Sequence, residues 1–234
     1  MSTRAKSLLD TLSTLLVIAA AGSVLWKLHQ PAPPSPAARP PVEDISELRI
    51  SADALTHMRG KGDVVLVEFA DYECPFCARH TRNTAPAIKA ELIDSGAIQH
   101  VFFNFPLPIH SRAEKAAEAA ECAGQQGKFW EMHQRLFDDP TALEVSDLLA
   151  KADALGLESA MFADCLDGGL MATRIRADQA QGRRLGVNST PLFFVGTRQA
   201  DGSVALQKRI NGAVSVEIFK EAVRDISVTV RASR

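Results

Sequence analysis

Residues Val64 to Ala70 (VVLVEFA) are apolar except for Glu68, and the chain leaves them through Asp71-Tyr72-Glu73 into Cys74-Pro75-Phe76-Cys77 at the head of a helix-forming segment. That order predicts a strand buried on both faces, a tight turn and a helix. Pro75 suits the first helical position, whose N–H would have no intrahelical partner, so Cys74 falls at the N-cap with its sulfur facing free backbone N–H groups. Those groups favour a thiolate. A thiol with a pKa near ~8.5 is about 3 % thiolate at pH 7, whereas one lowered to about 6.5 is about three-quarters thiolate. Cys74 is therefore the candidate nucleophile. Cys77, one helical turn deeper, is the candidate resolving thiol, close enough to attack a mixed disulfide on Cys74.

The competing reading of C-x-x-C is half of a structural zinc site. Zinc needs two more ligands, yet there is no second C-x-x-C, and Cys122 and Cys165 lie singly in helical stretches. His80 makes a C-x-x-C-x-x-H run, but no fourth ligand accompanies it. No metal is expected. With 46 % hydrophobic and 23 % charged residues in 234, the chain can bury one core with an inserted subdomain. Lys+Arg 26 against Asp+Glu 28 gives no reason to expect nucleic acid.

Along the chain, Arg4 and Lys6 precede an uncharged run from Thr11 to Trp26, closed by Lys27. Residues 1–29 are read as a single N-terminal transmembrane helix, amino end inside; a cleaved signal peptide, with Ala19-Ala20-Ala21 as its small residues, is the alternative. Residues 30–44, with six prolines between Pro31 and Pro41, are read as a semi-rigid linker to a domain at 45–234. Leu48-Arg49-Ile50 is expected as an edge strand and Ala52 to Arg59 as a short helix. The helix from Pro75 should run to about Asp94 with a break near Ala85, because Pro86 lies inside it. Ile98 to Phe105 reads as a second buried strand.

A helical insertion is expected over about 111–185, opened by a capping box Ser111-x-x-Glu114. Leu192–Val195 and Val204–Ile210 read as a hairpin, and Ser215 caps a last helix, Val216–Ile226. Glu68 is the one charge in the central strand. It is either a locally paired carboxylate or a buried proton acceptor for Cys77, its pKa raised by burial. His80 and His110 are read as packed or loop histidines. Cys122 and Cys165, each among small or apolar neighbours on a helical segment, are expected to form a structural disulfide; two unpaired core thiols are the alternative.

Three stretches, Val67 to Cys77 (VEFADYECPFC), Ala116 to Trp130 (AAEAAECAGQQGKFW) and Gly186 to Gly196 (GVNSTPLFFVG), resemble the DsbA-like thiol-disulfide oxidoreductases of the thioredoxin superfamily. The resemblance covers most of residues 45 to 226. It implies an α/β, thioredoxin-like fold with an inserted helical subdomain, a redox-active Cys74-Cys77 pair, a cis Pro191 lying against it and a buried carboxylate at Glu68. Pro75, Phe76 and Thr190 are then the residues expected to meet substrate, Thr190-Pro191 by offering backbone to an extended chain. Where the best-known oxidases of that family carry a histidine between the cysteines, this chain has Phe76.

The resulting expectation is a protein disulfide oxidoreductase in the bacterial inner membrane, its catalytic domain in the periplasm, or a soluble periplasmic enzyme after signal cleavage. Exported proteins with cysteine thiols would be substrates, a membrane quinone-linked thiol oxidase would recycle the pair, and no cofactor is required. A reductase or isomerase of the same fold, and a non-catalytic zinc or scaffold domain, are the rivals.

Overall fold

The computed structural model describes residues 42–44 and 48–232. The expected membrane segment and the linker up to residue 41 lie outside them. Among the described residues no helix is long and apolar enough to cross a membrane.

Seven described strands make one sheet: β1 (Val42–Asp44), β2 (Arg49–Ile50), β3 (Arg59–Gly60), β4 (Val64–Ala70), β5 (Ile98–Asn104), β6 (Leu192–Arg198) and β7 (Val204–Asn211). Their order is β1-β7-β6-β4-β5-β3, with β2 also on β7. β4 sits centrally, parallel to β5 and antiparallel to β6, which is why every one of its residues is buried. Successive side chains alternate faces. Val65, Val67 and Phe69 pack with Phe103, Phe105, Phe194 and Leu185 on one side. Val64 and Leu66 pack with Ile88, Ile93, Phe193 and Phe219 on the other. Each fully buried phenylalanine in these layers contributes about 2–3 kcal/mol.

Helices cover both faces. α1 (Pro75–Asn83), α2 (Ala85–Ile88) and the carboxy-terminal α8 (Val216–Ala232) lie over the second face. Five helices follow β5: α3 (Ala113–Gln125), α4 (Phe129–Asp138), α5 (Val145–Ala154), α6 (Ser159–Asp167) and α7 (Ala172–Arg184). α7 returns to the first face and approaches closely through Gly182, where a Cβ would come within 2.5 Å of Phe105 Cε2. The other four share a core in which Ala116, Ala120, Met132, Leu136, Phe137 and Phe162 are continuous with Tyr72, Cys74, Cys77 and Phe102. The insertion therefore packs directly onto the dithiol.

Several local expectations need correction. The segment after β2 is one 3-10 turn, Ala52–Ala54, and Arg59–Gly60 instead forms β3 on the far edge, pairing with His100 and Gln99. The long helix breaks at Thr84, as expected from Pro86, but residues Lys89–Ile93 wind as a π-turn rather than continuing as α-helix to Asp94. The Ser111 capping box does not form. α3 starts at Ala113 without a side-chain cap, because Arg112, the residue before it, is turned to the active-site loop. A capping box occurs instead at Glu144 and Asp147, at the head of α5.

Cys122 on α3 and Cys165 on α6 are joined by a disulfide with Cα atoms 5.9 Å apart. It closes a loop over a sequence separation of 43, which in the chain-entropy account stabilises the fold by about 4 kcal/mol. A Cys122→Ala/Cys165→Ala variant should lose stability on that order in equilibrium urea unfolding. An unchanged unfolding midpoint contradicts the linkage.

Candidate active site

β4 ends at Ala70 and the chain turns at once into α1, so the helix N-terminus is fixed by the central strand of the sheet. Asp71, 1 % exposed, builds the turn. Its Oδ1 accepts the Glu73 N–H at 2.8 Å, and its Oδ2 accepts the Leu107 N–H at 2.7 Å and lies 2.7 Å from His110 Nδ1. Glu73 ties the same turn to the insertion, accepting from the Arg112 N–H at 2.8 Å and from the guanidinium at 2.8 and 3.1 Å. Burial acts to raise the Glu73 pKa, but the Arg112 hydrogen bonds outweigh it and hold the carboxyl below its ordinary value.

Cys74 occupies the N-cap with extended backbone and Pro75 in the first turn. Both cysteines are buried thiols in this structure. The Cys77 thiol, donating to the Cys74 sulfur, does most to lower the Cys74 pKa; burial opposes it, and Thr190 with the N–H groups of Cys77 and Phe76 adds to the lowering. The result is a pKa of about 5. Cys77 is pushed the other way, well above the ordinary thiol value, first by burial and then by its role as donor to Cys74. One thiol is thus a thiolate at neutral pH and the other is protonated.

Across from the pair, the Thr190–Pro191 bond is cis. In its protonated form the Cys74 thiol donates to the Thr190 carbonyl oxygen at 3.4 Å, a bond that the thiolate does not make. The Thr190 hydroxyl, buried and without another partner, favours the thiolate form of either cysteine. Phe76 stands out at 53 % exposed, with the Arg79 guanidinium 5.0 Å from its ring centre. The structure therefore brings Cys74, Pro75, Phe76, Cys77, Thr190 and Pro191 to one corner of the sheet. The same corner exposes Ile109, on the loop held by Asp71.

Glu68 is 3 % exposed, on the β4 face covered by α1. Its Oε2 lies 3.0 Å from His100 Nε2, while Oε1 is buried without a partner. It makes no hydrogen bond to either active-site sulfur among the described residues. Burial raises its pKa, while the charges of His80 and Arg59 pull it down. Arg59 Nε donates to His100 Nδ1 at 3.1 Å. Because a guanidinium only donates, His100 Nδ1 must accept, so its proton sits on Nε2 and points at Glu68. Burial, reinforced by the Arg59 charge, keeps His100 neutral. Arg59 is itself held 3.8 Å over the Trp130 ring. His80, on α1, is 2 % exposed and packs against Phe193 and Phe219. Among the described residues no cluster of three or more His, Cys, Asp or Glu side chains is arranged to hold a metal ion.

Sequence reasoning did not single out Asp71, Arg112, Arg59 or His100. His100 carried a signal, as a polar residue inside the buried run Ile98–Phe105; Arg59 carried none, because its partner lies 41 residues away.

A reactive dithiol at a strand-to-helix turn, with a cis-proline loop across from it and a helical subdomain packed on it, defines a dithiol protein of thioredoxin fold. The sequence model of the thioredoxin family matches residues 56–214. The chain belongs to that family, and its fold is the DsbA-like form. It is similar to α-DsbA1 of Wolbachia pipientis, with a TM-score of 0.65 and 21 % identity, covering 75 % of this chain and 92 % of that one. A thioredoxin-like oxidoreductase from Silicibacter pomeroyi DSS-3 aligns at 26 % identity and a TM-score of 0.60, covering 74 % and 91 %. Among proteins similar in sequence is one from Salinispora tropica named Na(+)/H(+) antiporter NhaA 3, 37 % identical over 164 residues. Those residues are 68 % of this chain but 24 % of that protein, so the likeness is confined to a domain.

Alkylation of the reduced protein by iodoacetamide should label Cys74 with a half-maximal rate near pH 5 and leave Cys77 unlabelled up to the alkaline range. Cys77→Ala, which removes the largest cause of the lowering, should move that midpoint upward, while Cys77→Ser, which keeps a donor, should move it less. A midpoint near ~8.5 in the parent protein contradicts the assignment.

Proposed function

We propose that the chain is a thiol-disulfide oxidase that introduces disulfide bonds into exported proteins. The observation that carries this reading is the place of Cys74 at the N-cap of α1, with Cys77 one turn deeper in the same helix and the cis Thr190–Pro191 bond across from it. Stabilising the thiolate stabilises the reduced pair, and a pair stabilised in its reduced form is an oxidant.

The oxidised form carries a Cys74–Cys77 disulfide. A substrate thiolate attacks Cys74 Sγ, a substrate–Cys74 bond forms, the Cys74–Cys77 bond breaks, and Cys77 leaves with the electron pair. Cys77 is buried and disfavours charge, so it takes up a proton, whose supply falls to the buried carboxyl of Glu68 on β4. A second substrate thiolate then attacks the substrate sulfur of the mixed disulfide and expels Cys74, a good leaving group because its thiolate is stabilised. The substrate has lost two electrons and gained a disulfide, and the pair holds both electrons. The exposed Phe76 and the Thr190-Pro191 backbone supply an apolar contact and an extended edge for the substrate chain.

Recycling by a disulfide of a membrane quinone-linked oxidase completes the cycle. A single transmembrane helix within residues 1–29 would hold the domain on the periplasmic side of the bacterial inner membrane, at the end of the Pro-rich linker. The relatives named as antiporters support a place at a membrane, since the matching domain there belongs to a protein named for membrane transport.

The oxidised protein, mixed with reduced and unfolded ribonuclease, should generate disulfides stoichiometrically and then catalytically with an added oxidant. Cys74→Ser should abolish this, and Glu68→Gln should slow it by about tenfold or more without loss of fold. Failure of the parent protein to oxidise the substrate, together with efficient reduction of insulin disulfides, would favour a reductase.

A further inference from the structure

Buried polar atoms almost always find partners, so those that do not call for an explanation. Glu68 Oε1 and His80 Nδ1 are both buried and unpartnered, and His80 stands on the buried side of α1. His80 follows Cys77 by three residues, which places the two on the same face of the helix. Its ring lies 4.6 Å from the Phe193 ring and 5.6 Å from the Phe219 ring. Phe193 is the residue of β6 in register with Glu68. His80 thus sits over the cross-strand neighbour of the carboxylate. Of the charges around Glu68, that of His80 acts on it most strongly, and the reverse also holds.

The other imidazole at Glu68 is already committed. His100 accepts from Arg59 at Nδ1 and donates to Glu68 at Nε2, so it has no free lone pair for another proton. His133, the remaining titratable group coupled to His80, has its Nδ1 3.2 Å from the Tyr72 hydroxyl. β6 and α8 face His80 with Phe193 and Phe219.

Resting on the thiol-disulfide reading above, we propose that His80 is the second member of the proton route of Cys77, exchanging the proton with Glu68 between Oε1 and Nδ1 directly or across one water. When a mixed disulfide on Cys74 is resolved, the Cys77 thiol proton passes to Glu68 Oε1. The Cys77 sulfur attacks Cys74 Sγ, the Cys74–Cys77 bond forms, and the partner sulfur leaves with the electron pair. Glu68 then hands its proton to His80, and the imidazolium, disfavoured by burial, gives a proton up to bulk water. The clamp of Arg59 and His100 on Oε2 leaves Oε1 as the working oxygen. In the oxidising direction the same proton runs back to Cys77.

The reduced protein reacting with the aromatic disulfide dithiobis(nitrobenzoate) separates the steps. The first nitrothiobenzoate released reports attack by Cys74, and the second reports attack by Cys77 on the mixed disulfide. His80→Phe, which keeps an aromatic ring against Phe193 and Phe219, should leave the first phase within about twofold, slow the second about tenfold near pH 7 and flatten its pH profile. His80→Gln, which keeps polarity but cannot titrate, should do the same and serves if the phenylalanine variant folds poorly. Adding His80→Phe to Glu68→Gln should slow the second phase no further than Glu68→Gln alone. A second phase unchanged in rate and pH profile in both His80 variants, beside a slowed Glu68→Gln, overturns the relay alone; so does equal slowing of both phases. If Glu68→Gln leaves the second phase unchanged, the role of Glu68 falls, and absence of any release removes the thiol-disulfide reading itself.

Discussion

The placement of Cys74 at the open N-terminus of a helix, with Cys77 one turn deeper, sets the chemistry of this molecule. It works only if the two sulfurs and the helix N-terminus keep a fixed relation, and much of the surrounding structure serves that end. The central strand β4 delivers the chain to the turn, and Asp71 and the Glu73–Arg112 pair fasten the turn to the Leu107–Arg112 segment. Thr190, brought alongside by the start of β6, adds a third contact to Cys74. The insertion supplies the apolar surroundings that keep Cys77 protonated.

The same burial imposes a cost beneath the site. A carboxyl group in the middle of a fully covered strand would be strongly disfavoured as a bare anion. Glu68 is accommodated because His100 donates to it, and His100 is oriented in turn by Arg59, whose own charge rests on the face of Trp130. This chain of contacts leads from the sheet interior to α4 of the insertion. The two structural layers therefore share a polar connection as well as an apolar one.

Much of the fold was legible because the central elements carry strong local patterns. The strand Val64–Ala70 and the helix start at Pro75 follow directly from the unbroken apolar run and the proline after Cys74. The hairpin of β6 and β7 forms where it was expected, although both strands extend further, to Arg198 and Asn211. The edges were not legible. Arg59–Gly60 is too short for a periodic signal and becomes a strand only because β5 offers it an edge. Ser111 has the residue type of a cap, but Arg112 is drawn to Glu73 across 39 residues and sets the entry to α3. In the site, Cys74 and Cys77 were readable from spacing, whereas the cis bond before Pro191 has no local sequence signature and was expected only from family resemblance. The partners of Glu68 are long-range, so its environment emerged only with the sheet register.

The measurement that bears most directly on a thiolate-stabilised oxidant is the reduction potential of the Cys74–Cys77 pair, obtained by equilibrating the protein with glutathione buffers at pH 7. A potential more positive than about −200 mV is expected, on the side of pairs whose reduced form is stabilised. A potential more negative than about −250 mV, in the range of reducing thioredoxins, would contradict it.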